Sequence, residues 1–512
     1  MGQNSQPSVP AEAWRLELTK QMFILFLGKG GGFVLTLAIP LVLVRIFDTT
    51  QFGVYRQIVL IQGTLLAVLS FGIPASLYYF LPREVSNRGR YISQTVLLLA
   101  GIGLFACTML SLFRREIATL LNSPDMNEYA PYIGVLAAAS LLAVILEVIM
   151  VATKRMALAT LTVILSEFIK SCVIIGAALV TKSLFVLLIG MIALAVLRIG
   201  ALIIYLLKEK WLDFHSLSMD VIRGQLVYAL PFGIATTFEI MASAVPQFFV
   251  SYKFDPATFA VFSVGCFTLP FVPLLFDAVA DAALIRITEL EQGGHYTELR
   301  HVVSDAIRKL SLVCLPLFVF LIFMSREFIT VLYTNKFQDS IPIFVIFSFT
   351  LPLWALSLDY VPRAFHNTSF LLRMYGVRLA LTIILLLVLT PMLGLPGAAL
   401  AVVLALGISR FYVLKRVAHL TGVTVSELVP WRSLAVVLSQ SLIAGLILLL
   451  FRQVLSLPPL VVLLAGFLVF ASIYLSLIWN SKVVHDDERR VLTLFLYKLK
   501  GLVVRQPCAV NK

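Results

Sequence analysis

The feature that most constrains this chain is a series of continuous apolar runs, each about 20 residues long. A helix needs about 20 apolar residues to cross a bilayer, whereas the strands of an outer-membrane barrel alternate over about 10 residues. Charged residues make up only 13% of the 512 residues, against about 25% in soluble domains. The sequence therefore predicts an all-α, polytopic membrane protein.

Fourteen of these runs are candidate transmembrane spans. The first follows a polar segment and is too long for the core of a signal peptide, so it is interpreted as an uncleaved first span. Prolines in spans 2, 7 and 8 predict kinks at Pro74, Pro231, Pro246, Pro270 and Pro273. The predicted spans cover residues 22–46, 54–80, 92–113, 131–152, 157–180, 184–207, 225–250, 259–284, 305–324, 340–360, 370–393, 396–418, 433–452 and 458–480.

Basic residues predict the orientation. Most lysines and arginines fall in alternate connections, together with the N-terminal segment and the tail. By the positive-inside rule, this bias places both termini in the cytoplasm. The expected location is the cytoplasmic (inner) membrane. It also accounts for the net charge of +13, so no nucleic-acid partner is expected. The five cysteines have no paired spacing, and no disulfide, metal site or cofactor is predicted.

A repeat divides the chain. The segment Phe47 to Tyr55 (FDTTQFGVY) returns 207 residues later as Phe254 to Phe262 (FDPATFAVF), with four of nine residues identical. The segment Arg115 to Leu121 (REIATLL) returns 211 residues later as Arg326 to Leu332 (REFITVL), with four of seven identical. Two matches at nearly one offset, in equivalent outer loops, favour a duplication.

The repeat predicts the domain organisation. Because each half contains an even number of spans, both halves cross the membrane in the same direction, and transporters of this kind bind substrate between their halves. The predicted divisions are an N-terminal segment (1–21), an N-lobe of spans 1–6 (22–215), a C-lobe of spans 7–12 (216–420), spans 13–14 (421–480) and a basic cytoplasmic tail (481–512).

Lys29 is the first candidate for substrate binding. It lies among glycines in the run Gly28–Gly32, inside the first span. A charge at that depth is costly unless it faces a cavity or a partner, and glycines allow close approach. Its counterpart in the second half is Thr236, and Glu239 lies one turn further on. Lys29 and Glu239 are interpreted either as lining a polar cavity between spans 1 and 7 or as a structural ion pair.

Two further sites are candidates. Asp277 and Asp281 share one face of span 8 at i and i+4. Two neighbouring carboxylates raise the pKa of one of the pair, which suits a proton or Na⁺ site. The alternative is a charge cluster at the cytoplasmic end, together with Arg286. Arg56, near the outer end of span 2, is suited to bidentate binding of phosphate, or it snorkels to the interface as Arg45 is expected to do.

Other charges inside spans favour a structural network. Opposite charges in neighbouring helices of one bundle usually pair. The charges in spans 4, 5 and 6 are Glu147, Glu167, Lys170 and Arg198. In the second half, Arg378 aligns with Lys170, whereas Arg410 has no evident partner.

Enzyme signatures are absent. The sequence has no P-loop, HExxH or GxSxG motif and no acidic pair on a large external loop. It also lacks the Asp-centred motif expected of major-facilitator carriers at the turn between spans 2 and 3.

Several segments together resemble a known family, the polysaccharide-transport (Wzx-like flippase) branch of the multidrug/oligosaccharidyl-lipid/polysaccharide (MOP) exporter superfamily. The resemblance covers about residues 20–480. The segments that carry it are Leu25 to Gly30, Arg45 to Asp48, Phe52 to Tyr55, Phe71 to Ser76, Arg326 to Leu332 and Asn335 to Phe337.

This resemblance implies two six-helix lobes around a cavity lined by spans 1, 2, 7 and 8, in a MOP/MATE-like fold that works by alternating access. It implies a polyprenyl-pyrophosphate-linked oligosaccharide as substrate, with Lys29 and Arg56 as candidate pyrophosphate binders. Spans 13 and 14 would form a lipid-facing groove. Glu239, Asp277 and Asp281 depart from a strongly cationic cavity, so they are candidates both for substrate binding and for coupling to H⁺ or Na⁺. Membrane lipids and a polysaccharide polymerase or assembly protein are the other expected partners.

Three functions follow from this reading. The first is a flippase for lipid-linked oligosaccharides of surface polysaccharide biosynthesis. The second is a cation-coupled multidrug antiporter of the same fold. The third is a membrane-embedded glycan polymerase, which the short outer loops disfavour.

Overall fold

The protein is described by a computed structural model over residues 37–213, 218–269, 271–454, 457–481, 483–485 and 489. Every regular element within these residues is helical, which confirms the predicted all-α class. Eleven helical segments of the described chain are long and apolar enough to cross a membrane. They support a multi-pass membrane protein, whereas the count of fourteen spans is not confirmed, and residues 22–36 of the first predicted span lie outside the described residues.

The helices are numbered in chain order. Those of the first half are α1 (described over Leu37–Ile46), α2 (Thr49–Leu69), α3 (Ile73–Arg83), α4 (Arg88–Leu112), α5 (Arg114–Leu120), α6 (Met126–Ala152), α7 (Met156–Thr181) and α8 (Leu184–Glu209). Those that follow are α9 (Met219–Lys253), α10 (Pro256–Gly265), α11 (Phe271–Gln292), α12 (Tyr296–Phe323), α13 (Ser325–Tyr333), α14 (Ile341–Ser348), α15 (Thr350–Ala355), α16 (Tyr360–Ala364), α17 (Thr368–Thr421), α18 (Val425–Leu428), α19 (Trp431–Val454) and α20 (Pro459–Trp479).

Two predicted spans are broken rather than kinked. Span 2 is divided into α2 and α3 by a turn in which Gly72 has a φ of 70°, a conformation that glycine adopts without strain. Gly233 of α9 lies against this turn, and a Cβ on it would come 2.3 Å from the carbonyl oxygen of Phe71. Span 8 is divided into α10 and α11, whereas α9 continues as one helix through Pro231 and Pro246. The interruptions predicted in spans 2 and 8 are therefore present as breaks between helices, whereas those predicted at Pro231 and Pro246 do not end α9.

The predicted span 340–360 also differs from a single helix. It consists of three short helices, α14 to α16, with non-helical residues between Ala355 and Tyr360. By contrast, α17 turns at Gly394, which has a φ of 64°, and this turn falls between the predicted spans 370–393 and 396–418.

The Cα positions form two compact units. The first unit comprises Met1–Leu274, Leu332–Phe347 and Asn367–Ser409. The second unit comprises Leu275–Val331, Ser348–His366 and Arg410–Lys512. The division into two lobes of six spans remains a prediction.

The first unit contains two apolar clusters. One joins α3, α4, α6 and α8 through fully buried residues such as Leu77, Ile92 and Ile145. The other joins α2, α9, α10, α14 and α17 around Phe259 and Phe262. Lipid is as apolar as these side chains, so association inside a membrane depends on packing rather than on removal of apolar surface from water.

The second unit is built around α12, α19 and α20. Gly445 of α19 lies against the ring of Phe323, which allows a close approach of α19 to α12. The hydroxyl of Tyr474 on α20 donates to the carbonyl oxygen of Leu312 at 2.9 Å. Glu327, from the second copy of the REIATLL motif, pairs with Arg452 at 2.7 Å.

Candidate functional site

Lys29, the first sequence candidate, lies outside the described residues together with its neighbouring glycines. Its place in a cavity and its pairing with Glu239 remain predictions. The sequence candidates within the described residues are Arg56, Glu239, Asp277 and Asp281.

The aspartate that both copies of the FDTTQFGVY motif share is a helix cap. The Asp48 carboxylate accepts from the backbone N–H of Gln51 at 2.7 Å, at the start of α2. Asp255 accepts from the backbone N–H groups of Ala257 and Thr258 at 2.9 and 3.1 Å, at the start of α10. The hydroxyl of Thr258 also donates to Asp255 at 2.6 Å, and this bond holds the pKa of Asp255 below its usual range. The shared aspartates thus satisfy free N–H groups at equivalent helix starts.

The capped ends of α2 and α10 pack directly against each other. A Cβ added to Gly53 would lie 1.8 Å from the carbonyl oxygen of Pro256, so only glycine allows this approach. Three residues further along α2, the Nε of Arg56 donates a hydrogen bond to the hydroxyl of Ser263. Positions 56 and 263 are separated by 207 residues, which is the offset of the repeat. The bond therefore joins equivalent positions of the two copies, as expected close to a twofold axis.

Arg56 is half-buried in this contact. Tyr55, Cys266 and Tyr333 lie close enough for its charge to act on them. Among the described residues, Arg56 makes one hydrogen bond, through Nε, so its two Nη groups remain able to bind an anion. This geometry fits the prediction of a phosphate binder, which no direct observation tests.

Arg45 behaves differently. It is exposed, and its Nη1 donates to the backbone carbonyl oxygens of Leu41 and, at 3.1 Å, of Leu332. These contacts hold the guanidinium at the end of α1, and the snorkelling of Arg45 to the outer interface remains a prediction.

Glu239 lies on α9 one turn before Ser243. The hydroxyl of Ser243 donates to the backbone carbonyl oxygen of Glu239 at 3.3 Å and accepts from Nη2 of Arg378, on α17, at 3.4 Å. The structure therefore brings a cation from the second half of the chain to within one turn of Glu239. The sequence had aligned Arg378 only with Lys170.

Asp277 and Asp281 are both exposed on α11, within the second unit. Arg286, which the sequence placed beside them in one alternative, forms ion pairs with Glu289 at 3.2 Å and with Glu298 at 3.4 Å. The two carboxylates share one helix face, as predicted, and their role as an ion site remains a prediction.

The charges of α6, α7 and α8 form ion pairs. Arg198 pairs with Glu147, and Lys170 pairs with Glu167. The four side chains are between 22% and 33% exposed, and Glu147 is close enough to the other pair for their charges to act on it. Partly exposed charges inside apolar helices are costly against lipid, so this network favours a water-filled face.

Sequence reasoning missed the partner of Arg410. Its Nη1 lies 2.6 Å from Oδ2 of Asp359, and both side chains are at most 10% exposed. Asp359 lies at the break between α15 and α16. The sequence signal was an acidic residue, Asp359, near the end of the predicted span 340–360, although a carboxylate at a span end ordinarily faces the membrane interface.

A second group that the sequence did not indicate is aromatic. Tyr79 and Phe80 of α3, Tyr91 of α4 and Tyr228 of α9 form a continuous cluster with ring centroids 4.6 to 5.9 Å apart. The guanidinium of Arg83 lies 3.7 Å from the centroid of the Tyr79 ring. No short motif reveals this cluster, because Tyr228 follows Tyr91 by 137 residues in the sequence.

Comparison with known proteins identifies the family. The model of a family described as polysaccharide biosynthesis protein matches residues 42–342, which is more than half of the chain. The chain belongs to this family. No curated protein matches this polysaccharide biosynthesis family member.

Solved structures show the fold of this polysaccharide biosynthesis protein. A lipid II flippase, MurJ, in an inward closed conformation, is 16% identical with a TM-score of 0.71, over 89% of this chain and 98% of that chain. An inward-facing multidrug resistance MATE transporter of the MOP superfamily is 14% identical with a TM-score of 0.59, over 76% of this chain and 96% of that chain.

A MOP superfamily transporter from Pyrococcus furiosus, described as having a binding pocket of reverse polarity, is 14% identical with a TM-score of 0.55, over 78% of this chain and 94% of that chain. The predicted MOP/MATE-like fold is confirmed.

Proposed function

We propose that this protein moves a polyprenyl-pyrophosphate-linked oligosaccharide from the inner to the outer leaflet of the cytoplasmic membrane during surface polysaccharide biosynthesis. Membership of the polysaccharide biosynthesis family supports a role in glycan assembly. The fold similarity to a lipid II flippase over 89% of the chain supports a lipid-linked substrate. A polysaccharide polymerase or assembly protein would then take up the translocated product.

The observation that carries the proposal is the state of Arg56. It is a half-buried guanidinium in an apolar helix, held through Nε by Ser263, with two Nη groups left to bind an anion. A planar guanidinium binds phosphate oxygens in a bidentate way, with geometric specificity that a lysine does not provide. Lys29 would add a second cation at a different depth of the same path.

The packing of α2 against α10 supports alternating access. These helix ends lie on the side that the basic residues predict to be outer, and they are in contact at Gly53 and Pro256. A large headgroup leaves on that side only if the two ends separate, which breaks the bond between Arg56 and Ser263. A phosphate that replaces Ser263 on Arg56 binds the separated state more tightly, and that difference in affinity shifts the equilibrium.

The acidic residues are proposed to couple transport to a cation gradient. Asp277 and Asp281 are exposed and one turn apart on α11, and paired carboxylates of this kind bind H⁺ or Na⁺. Glu239, on α9, is the third acidic candidate. Replacement of Asp281 by asparagine should then remove the dependence of transport on the gradient, measured with and without an imposed pH or Na⁺ difference.

The test of the function is translocation by purified protein. In proteoliposomes, the protein should move a fluorescent polyprenyl-pyrophosphate disaccharide between leaflets, and Arg56→Gln should lower the rate at least about tenfold, as expected for loss of a charged bidentate contact. Arg45→Gln is the matched control, because the Arg45 guanidinium donates to the backbone carbonyl oxygens of Leu41 and Leu332 rather than to Ser263. In cells, deletion should accumulate lipid-linked sugar in the inner leaflet. Normal surface polysaccharide without accumulation contradicts the proposal.

A multidrug antiporter of the same fold is the second candidate. The exposed pair Asp277 and Asp281 favours it, because carboxylates attract organic cations. It predicts efflux of small organic cations that is driven by H⁺ or Na⁺ and is lost in Asp281→Asn or Glu239→Gln. Efflux without movement of lipid-linked sugar would select this function over the flippase.

A further inference from the structure

The aromatic cluster of α3, α4 and α9 has a defined geometry. The rings of Tyr79 and Tyr228 are stacked, with centroids 4.6 Å apart and planes 27° apart. Phe80 stacks on Tyr91 at 4.8 Å and lies edge-on to Tyr228 at 5.9 Å. Two rings of α3, one of them backed by Tyr91 of α4, therefore hold the Tyr228 ring, which distinguishes it from a tyrosine that simply points into the membrane interface.

One end of the stack carries a positive charge. The Arg83 guanidinium carbon lies 3.7 Å from the centroid of Tyr79, and Tyr228 lies 4.6 Å from the same ring. Two groups this close must occupy opposite faces of Tyr79. Arg83 is exposed, and Tyr228 is 47% exposed. The order along the stack is therefore the Arg83 guanidinium, the covered ring of Tyr79 and the accessible ring of Tyr228.

The polar side of α9 explains how Tyr228 is held. Gln225, one turn earlier, is fully buried and donates to the hydroxyl of Thr95 on α4 at 3.2 Å. Ala229 packs its backbone against the turn at Gly72. These contacts fix the side of α9 that faces α3 and α4, so Tyr228 projects at the edge of this interface.

A firmly held aromatic face in a positively charged neighbourhood suits a sugar on an anionic lipid. The C–H groups on one face of a pyranose ring pack on an aromatic face while the hydroxyls stay hydrated. The Arg83 guanidinium, on the far side of Tyr79, attracts the anionic lipid to this end of α3 without contacting the phosphate of the stacked sugar. A lipid tail needs neither a ring nor a charge. The cluster lies at the ends of α3 and α9 that the basic residues predict to be cytoplasmic, where a substrate of the proposed flippase would first arrive.

We propose that Tyr228, held by Tyr79, is a stacking subsite for a pyranose ring of the lipid-linked substrate, and that Arg83 attracts the anionic lipid towards it. This inference rests on the proposed function. It assigns recognition of the sugar to the first unit and to residues other than Lys29 and Arg56.

The test compares two probes on the purified full-length protein in lipid nanodiscs. One probe is a polyprenyl phosphate that carries a single hexose, and the other is the same polyprenyl phosphate without sugar. The unmodified protein should bind the hexose-bearing lipid roughly two- to tenfold more tightly, the range expected for aromatic stacking. Tyr228→Leu and Tyr228→Met should abolish this difference, and Tyr228→Phe should restore it. Arg83→Gln should weaken both lipids equally.

Tyr296 provides a matched control. It is 41% exposed at the start of α12 and stacks on Phe365 with centroids 6.5 Å apart, but it lies in the second unit. Tyr296→Leu should leave the preference for the hexose-bearing lipid unchanged. An unchanged preference in Tyr228→Leu and Tyr228→Met, or an equal loss in Tyr296→Leu, overturns the subsite.

The two proposals fail in different ways. Equal binding of both probes by the unmodified protein overturns the subsite and leaves the flippase intact. Absence of any binding, together with absence of translocation in proteoliposomes, overturns the proposed function itself. If the Tyr228 variants lose binding of both lipids together with thermal stability, the residue is a membrane-interface anchor, and the subsite is again wrong.

Discussion

Gly53 provides the sharpest test of the contact between α2 and α10. In Gly53→Ala, the new Cβ would lie 1.8 Å from the carbonyl oxygen of Pro256 and 2.5 Å from its carbonyl carbon. An ordinary contact between carbon and a carbonyl oxygen is about 3.4 Å, so the two backbones must separate by about 1.5 Å. Both obstructing atoms belong to the backbone, so no side-chain rotation relieves the clash.

The cost sets the expected size of the effect. Overpacking a tight contact costs about 1–3 kcal/mol. If this cost falls only on the state in which α2 and α10 touch, the equilibrium shifts roughly 5- to 150-fold towards the separated state. The hydrogen bond between Arg56 and Ser263 crosses the same contact and would be lost with it.

Cys266 reports on this opening. It follows α10 directly and lies near Arg56. With the other four cysteines replaced, a membrane-impermeant maleimide added from the outer side should label Cys266 faster in Gly53→Ala. Gly63→Ala is the matched control on the same helix, because a Cβ there meets no atom within 4 Å. Equal labelling rates in the two variants, or no change from the parent, would refute the reasoning.

Three further predictions concern charged groups. Asp359→Asn or Arg410→Ala should each lower the free energy of unfolding by about 3–5 kcal/mol, because a buried charge loses its partner. Replacing both residues together, Asp359 by leucine and Arg410 by methionine, should cost less than either single replacement. A double-mutant cycle of thermal unfolding measures these differences. Asp255→Ala should lower stability by about 1 kcal/mol at pH 6. Because folding lowers the pKa of Asp255, its contribution is complete above the unfolded value of about 3.9 and is lost as the pH falls through the folded value, so melting curves of the two proteins should converge in acid. Lys29→Ala should abolish translocation without affecting expression or insertion. The control is Lys182→Ala, because Lys182 is exposed at the turn between α7 and α8, and this variant should translocate normally. A Lys29→Ala protein that translocates normally refutes a role of Lys29 in binding.

The helical class and the superfamily could be predicted from the sequence because both depend on local properties. The length of an apolar run decides whether a helix can cross a bilayer, and the repeat was visible in two short motifs at offsets of 207 and 211 residues. The contact between positions 56 and 263 has the same offset, although no property of Arg56 alone indicates that it lies opposite its counterpart.

The interruptions of the spans could not be predicted in the same way. Pro74, Pro231, Pro246 and Pro273 look alike in the sequence, yet α9 continues through two of them. The break before Pro74 depends on Gly72, whose turn is covered by Gly233 from a distant helix. Such a break becomes stable only when another backbone packs against it.

Pairing across long separations was also beyond the sequence. Arg410 meets Asp359 only because α15 ends before the buried carboxylate. The stack of Tyr79 and Tyr228 joins residues of two distant helices, and neither has a distinctive neighbourhood. Hydrophobic periodicity places residues on a face but does not indicate which faces meet.

The bond between Arg56 and Ser263 has a consequence for the history of the predicted duplication. An ancestor built from two identical chains would place the same side chain at both positions, facing itself across the symmetry axis. Two arginines there would repel each other, and two serines would offer no cation to a headgroup. An arginine on one side and its acceptor on the other require two copies that differ in sequence, so the asymmetry at this position gives a pairing that a homodimer could not form.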